Sequence, residues 1–153
     1  MPTERLKKGD LLVAYLVSGF ELAPRSYSLR LTASGRAYYE RSWSEPEGGR
    51  TEHRAKHDFN ASAMNRMRSL LQGLPPQGPA TVIIDDFASW HFEFWSGDEV
   101  RTVSSLEVFL EERTRGYYEE QHRESYPALP RLRAVWSILR YPFERKYQQP
   151  PSR

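Results

Sequence analysis

The sequence predicts an α+β fold: a two-layer antiparallel sheet built from two β-hairpin-plus-helix units, with an additional C-terminal helix. Three observations carry this. Ser26 to Leu31 and Ser89 to Phe94 both alternate apolar and polar side chains, and each enters a Ser-Gly turn, at Ser34-Gly35 and at Ser96-Gly97. Alternation means that one face of the sheet is buried while the other meets water. Apolar residues then recur at helical spacing after each hairpin unit, and once more near the end of the chain.

Leu11 to Leu22 is apolar enough for a buried strand, with a break at Ser18-Gly19, and Pro24 ends it. In the first hairpin, Tyr27, Leu29 and Leu31 point one way and Ser28, Arg30 and Thr32 the other. A three-residue loop closed by Gly35 pairs Thr32 with Arg36. Leu29 then meets Tyr39 on the buried face, while Arg30 meets Tyr38 and Ser28 meets Glu40 on the open one. Residues Ser44 to His57 hold Pro46, Gly48, Gly49 and many charges, and are expected to form a long exposed connection. Asn60 is the expected N-cap of a helix running to Gln72, with Phe59 stapled onto Met64 and Gly73, Pro75 and Pro76 as its stop.

The second unit follows a Pro75 to Pro79 linker: a short buried strand at Thr81 to Ile84, a turn at Asp85-Asp86, then the strand Ser89 to Trp95. Pairing Trp95 with Glu99 around Ser96-Gly97-Asp98 sets Phe94 against Val100 and Phe92 against Thr102 inside, and Glu93 against Arg101 outside. Ser104 with Glu107 has the form of a capping box, and Val103 with Val108 of a staple, so a helix is expected from Ser104 to Arg115. Both halves read strand, hairpin, helix, over residues 11–74 and 80–116. This is the pattern of an internal duplication, although the hairpin-plus-helix unit is also common on its own. A last helix is expected over 128–141, with Pro130 in its first turn, Leu132, Val135, Trp136 and Leu139 as its stripe, and Pro142 ending it. Residues 1–147 are thus read as one domain and 148–153 as a disordered tail.

The 153 residues contain no cysteine, which removes disulfides, thiolate nucleophiles and cysteine-ligated metals. The longest apolar run, Leu11 to Val17, is far shorter than the roughly 20 residues of a membrane span. The start of the chain makes a poor signal peptide, so a cytoplasmic location is expected. A net charge of +2 does not by itself point to a polyanion. Lysine occurs only at Lys7, Lys8, Lys56 and Lys146, the other cations being arginine.

No phosphate loop, nucleophile elbow or dinucleotide fingerprint is present. His53, His57 and Asp58 would form a metal cluster only on a helix, and a solvated loop fits them better. Glu119, Glu120, His122 and Glu124 read as a solvated charge run. Asp85-Asp86 at a strand end is where a metal-dependent hydrolase places an acid, but Trp95 stands where a nuclease-like Glu-x-Lys would need its lysine.

The most suggestive feature is the open sheet face: Arg30, Tyr38, Glu40, Ser42, His91, Glu93, Trp95 and Arg101 on the registers above. One reading covers it with the C-terminal segment, through Tyr117, Tyr118, Trp136 or Phe143. Another makes Arg30, Tyr38, Glu40, His91, Glu93, Trp95 and Arg101 the binding surface of a stoichiometric protein partner, in the manner of an inhibitor, immunity-type protein or adaptor, without cofactor. Nucleic-acid binding through Trp95, Tyr38 and arginines such as Arg54, Arg66, Arg68, Arg131, Arg133 and Arg140 is the alternative, against which Glu40 and Glu93 argue. A hydrolase using Asp85 and Asp86 comes third.

Overall fold

The computed structural model describes residues 5–17, 25–75, 88–110 and 128–146. It is an α+β fold around a six-stranded antiparallel sheet. The strands are β1 (Asp10–Val17), β2 (Arg25–Thr32), β3 (Arg36–Ser44), β4 (Arg50–Asp58), β5 (Ser89–Ser96) and β6 (Glu99–Leu106), arranged β4-β3-β2-β1-β5-β6. Helix α1 spans Ala61–Gln72, a single turn α2 Glu107–Leu110, and α3 Leu129–Lys146.

The β2–β3 hairpin has the predicted register: Leu29 faces Tyr39, Arg30 faces Tyr38, Ser28 faces Glu40. Gly35 sits in the left-handed region at φ 107°. A side chain there would also collide, since a Cβ would come within 2.9 Å of the Phe59 carbonyl oxygen. The Phe59 N–H donates to the Gly35 carbonyl at 2.9 Å, tying this turn to the start of α1. That helix begins as the sequence implies, the Asn60 Oδ1 accepting from the Ala63 N–H at 2.8 Å, and it buries Met64, Met67 and Leu71.

Where an exposed connection is expected, the structure has β4. Its register runs from Ser44 opposite Arg50 to Arg36 opposite Asp58, and Pro46 to Gly49 form the intervening turn. β4 buries almost nothing, so the hydrophobic pattern that betrays a strand is missing, and the backbone ladder with β3 carries it instead. His53 and His57 face the helices. The His53 Nδ1 lies 2.7 Å from an Arg41 Nη2 donor, and the His57 ring stands edge-on to Phe59 at 4.8 Å. Among the described residues no three His, Asp or Glu side chains gather as a metal site.

The second hairpin differs from expectation by one residue. Its loop is Gly97-Asp98 alone, with Gly97 at φ 65°, so Trp95 pairs with Val100, Phe94 with Arg101 and Glu93 with Thr102. A slip of one turns every β6 side chain over. It brings Val103 into the core opposite Phe92 and sends Arg101 to the helix side, where its guanidinium donates to the carbonyls of Leu74, at 2.6 Å, and Pro75, just past the end of α1. The expected helix start at Ser104 is also overturned, for β6 continues to Leu106. Ser104 reaches the His91 ring instead, and Glu107 pairs with Arg25 at 2.9 Å and accepts from the Trp90 indole. Tertiary partners thus outcompete the local cap.

Helix α3 runs through Pro142 rather than ending there. An interior proline costs about 3 kcal/mol. Against this stands the burial of Phe143, about 1.5–3 kcal/mol, together with its edge contact with Tyr39 at 5.3 Å. Leu132, Val135, Trp136, Leu139 and Phe143 lie against the sheet face that carries Leu12, Ala14, Leu29, Tyr39, Trp90 and Phe92. Trp136 and Phe143 therefore belong to the helix side and do not cover the open face. Thr81 to Asp86, Pro76 to Pro79, Tyr117, Tyr118, and the Glu119 to Glu124 cluster lie outside the described residues, as does 148–153.

Candidate functional site

Cross-strand pairing aligns one row of side chains on the face away from the helices: Lys56, Tyr38, Arg30, Val13, Glu93 and Thr102, one per strand from β4 to β6. Arg30, Tyr38, Glu40, Ser42, His91, Glu93 and Trp95 all lie on this face as expected, and Arg101 does not. They do not share one environment.

The β1–β5 end is covered by residues 5–9, which cross the sheet. Glu93 is 2% exposed. Its Oε1 accepts the N–H groups of Arg5 and Leu6 at 2.6 and 2.8 Å, and its Oε2 accepts the Tyr15 hydroxyl at 3.3 Å. The Arg5 guanidinium sits 4.0 Å from the centre of the Tyr15 ring. Arg30 is held twice, by the Asp10 carboxylate and by the Arg5 carbonyl at 3.2 Å, while Asp10 also accepts from the Lys7 N–H at 2.8 Å. His91 stacks on Tyr15, centroids 5.4 Å apart and planes 12° from parallel, with serine hydroxyls of Ser104 and Ser89 at its two ring nitrogens. Burial lowers the His91 pKa and Glu93 opposes this. Burial, then the Glu93 charge, raises that of Tyr15. Glu93 and His91 are therefore engaged by the molecule itself, and the partly exposed Arg30 is tied to the same crossing segment. A shallow cavity of about 380 Å³ opens beside the crossing segment, lined by Arg5, Leu6, Lys7, Val13, Ser28, Leu29 and Arg30.

The β3–β4 end is different. Tyr38 is 41% exposed. Around it, Arg36 grips Asp58 at 2.6 and 3.1 Å, and Glu40 lies 3.8 Å from Arg54. The exposed Arg36–Asp58 pair holds the Asp58 carboxyl below its usual range. Trp95, 38% exposed, stands at the β5–β6 hairpin. Sequence reasoning missed the crossing segment, whose only signal is Gly9-Asp10 at the mouth of β1, and it placed the β4 charges on a connection rather than on a strand.

The arginines proposed for nucleic acid do not form one surface. Arg68 donates to the Ala33 carbonyl at 2.6 Å, Arg140 packs on the Tyr39, Trp90 and Trp136 rings, and the Arg131 guanidinium lies against Gly73. On the helix side Arg41 is buried, and its Nε and Nη1, like the Tyr39 hydroxyl and the Trp43 indole nitrogen, have no hydrogen-bond partner among the described residues. No described helix is long and apolar enough to cross a membrane. No protein-family model matches the chain, and no curated protein matches it.

Proposed function

We propose that the chain is a protein-binding domain working in the cytoplasm as a stoichiometric partner, of the inhibitor, immunity or adaptor kind. In this reading a two-layer frame of two hairpin-plus-helix units, completed by the C-terminal helix, presents the uncovered part of its sheet to another protein. The observation that carries it is Tyr38, an exposed aromatic on β3, a strand paired on both sides, set between the opposite-charge pairs Arg36–Asp58 and Glu40–Arg54. A tyrosine ringed by both signs of charge is the composition of a protein hot spot, and the charges set which partner docks rather than how tightly. Glu40, Glu52 and Asp58 alternate on this surface with Arg36, Arg50, Arg54 and Lys56, a mixed-sign pattern that suits a protein partner better than the continuous basic track of a phosphate backbone site. Trp95 is the second anchor. Glu93, His91 and Arg101 are removed from the contact set assigned by sequence, and Arg30 serves the crossing segment.

The test is capture from native-host lysate on tagged wild-type, Tyr38→Ala and Trp95→Ala protein, with nuclease-treated controls. One protein retained near equal stoichiometry by the wild type, weakened by either substitution at unchanged urea midpoint, is the expected result. Retention that ignores both substitutions, or that vanishes with nuclease, overturns the reading.

A further inference from the structure

Among the described residues β4 ends the sheet at one side, and every second residue along it turns its N–H and C=O away from β3. Proteins usually blunt such an edge with charge, because a like-charged row repels another strand. The charges on β4 are not alike. On the open face they read Arg50, Glu52, Arg54, Lys56, Asp58. Placed antiparallel to a copy of itself about a two-fold axis at Arg54, this strand sets Arg50 opposite Asp58 and Glu52 opposite Lys56, and the symmetry repeats both pairs.

The single like-charge encounter is Arg54 on its twin, and each Arg54 has the Glu40 carboxylate of its own β3 at 3.8 Å. On the other face the same register matches Thr51 with His57 and His53 with Ala55, none of them a carboxylate or a lysine. Sliding by one pleat in one direction brings Arg50 against Lys56, which cancels the Glu52–Arg54 pairs that register makes and leaves Asp58 without a charged partner across the seam. Sliding in the other brings Glu52 against Asp58 and Arg54 against Lys56. Charge therefore selects one register, and a one-residue slip is barred by the pleat.

We propose that β4 is a homodimerisation edge, joining two copies through antiparallel β4–β4 pairing centred on Arg54 and continuing the sheet from one copy into the other. The inference goes beyond the partner-binding reading. It needs no partner, and it leaves the Tyr38 surfaces of both copies on one face of the joined sheet.

The test is sedimentation velocity of the purified chain over a wide concentration range, at low and high salt, with amide hydrogen exchange of residues 50–58. The wild type is expected to dimerise in a concentration-dependent and salt-weakened manner, with β4 amides slowing as dimer forms. Glu52→Lys places like charges opposite each other twice and is expected to weaken the dimer at least about tenfold. Glu52→Lys with Lys56→Glu restores the pairs and the dimer. Circular dichroism of each variant confirms the fold before association is compared. A wild type that stays monomeric throughout, a dimer indifferent to Glu52→Lys, or a double variant that fails to recover while folded overturns the proposal.

Discussion

Glu93 and Tyr38 occupy the same cross-strand row on the same face of one sheet, three strand spacings or about 14 Å apart. One is 2% exposed and the other 41%. The strands do not make that difference. It arises because residues 5–9 cross the β1–β5 end and turn two backbone N–H groups onto the Glu93 carboxylate, and because no described segment crosses β3. An acid on the polar face of a sheet can thus be an internal anchor, satisfied as fully as a buried charge needs to be. An aromatic on the same face, left bare, is the better marker of a docking surface.

Substitutions along the row sharpen that contrast. Glu93→Ala removes the acceptor of three hydrogen bonds, two from backbone, and is expected to cost about 3 kcal/mol in urea unfolding. Leu6→Pro leaves the sheet untouched but deletes one donor to Glu93 and restricts Arg5, for an expected loss of about 1.5 kcal/mol. A cost for Leu6→Pro near zero would mean that the crossing segment does not hold.

Acid acts on the same region more mildly. The folded-state pKa of His91 lies below its ordinary value of 6.5, chiefly through burial. The unfolded chain therefore takes up this proton first. The His91 contribution is complete above pH 6.5 and is lost as pH falls through the folded pKa. Wild-type stability should decline there, and His91→Gln should lose that part of the slope, which urea titrations at a series of pH values will read. Smallest of all, Tyr38→Ala should change stability by less than about 0.5 kcal/mol, as expected of an exposed residue without buried partners. A loss comparable to that of Glu93→Ala would make Tyr38 part of the packing and remove the proposed anchor.

What the sequence disclosed follows the physics of each element. The β2–β3 register was legible because apolar alternation, Gly35 and the Arg30–Tyr38 and Ser28–Glu40 pairs agree with one another. Helix α1 was legible from the Asn60 cap and its methionine-leucine stripe. β4 was not, since its alternation sets charged residues against Thr51, His53, Ala55 and His57 rather than against an apolar stripe, and so lacks the signal of a buried face. The β5–β6 register was misread because Glu93 and Arg101 look like a cross-strand ion pair, whereas each is taken by backbone groups far away in the chain: the N–H groups of residues 5 and 6, and the carbonyls of Leu74 and Pro75. Arg41 shows the same limit, being a charge buried at the centre of β3 where local pattern predicts an apolar residue. Of the candidate site, the face was legible, and the division of that face into covered and bare ends was not, because it depends on contacts 88 and 87 residues apart.

The most direct test of that division is amide hydrogen exchange at Arg5 and Leu6 in the wild type and in Glu93→Ala and Tyr38→Ala. The account predicts that both amides exchange slowly in the wild type and in Tyr38→Ala and at unprotected rates in Glu93→Ala, while β3 stays protected in all three. Fast exchange of these two amides in the wild type, or protection that survives the loss of the Glu93 carboxylate, would contradict it.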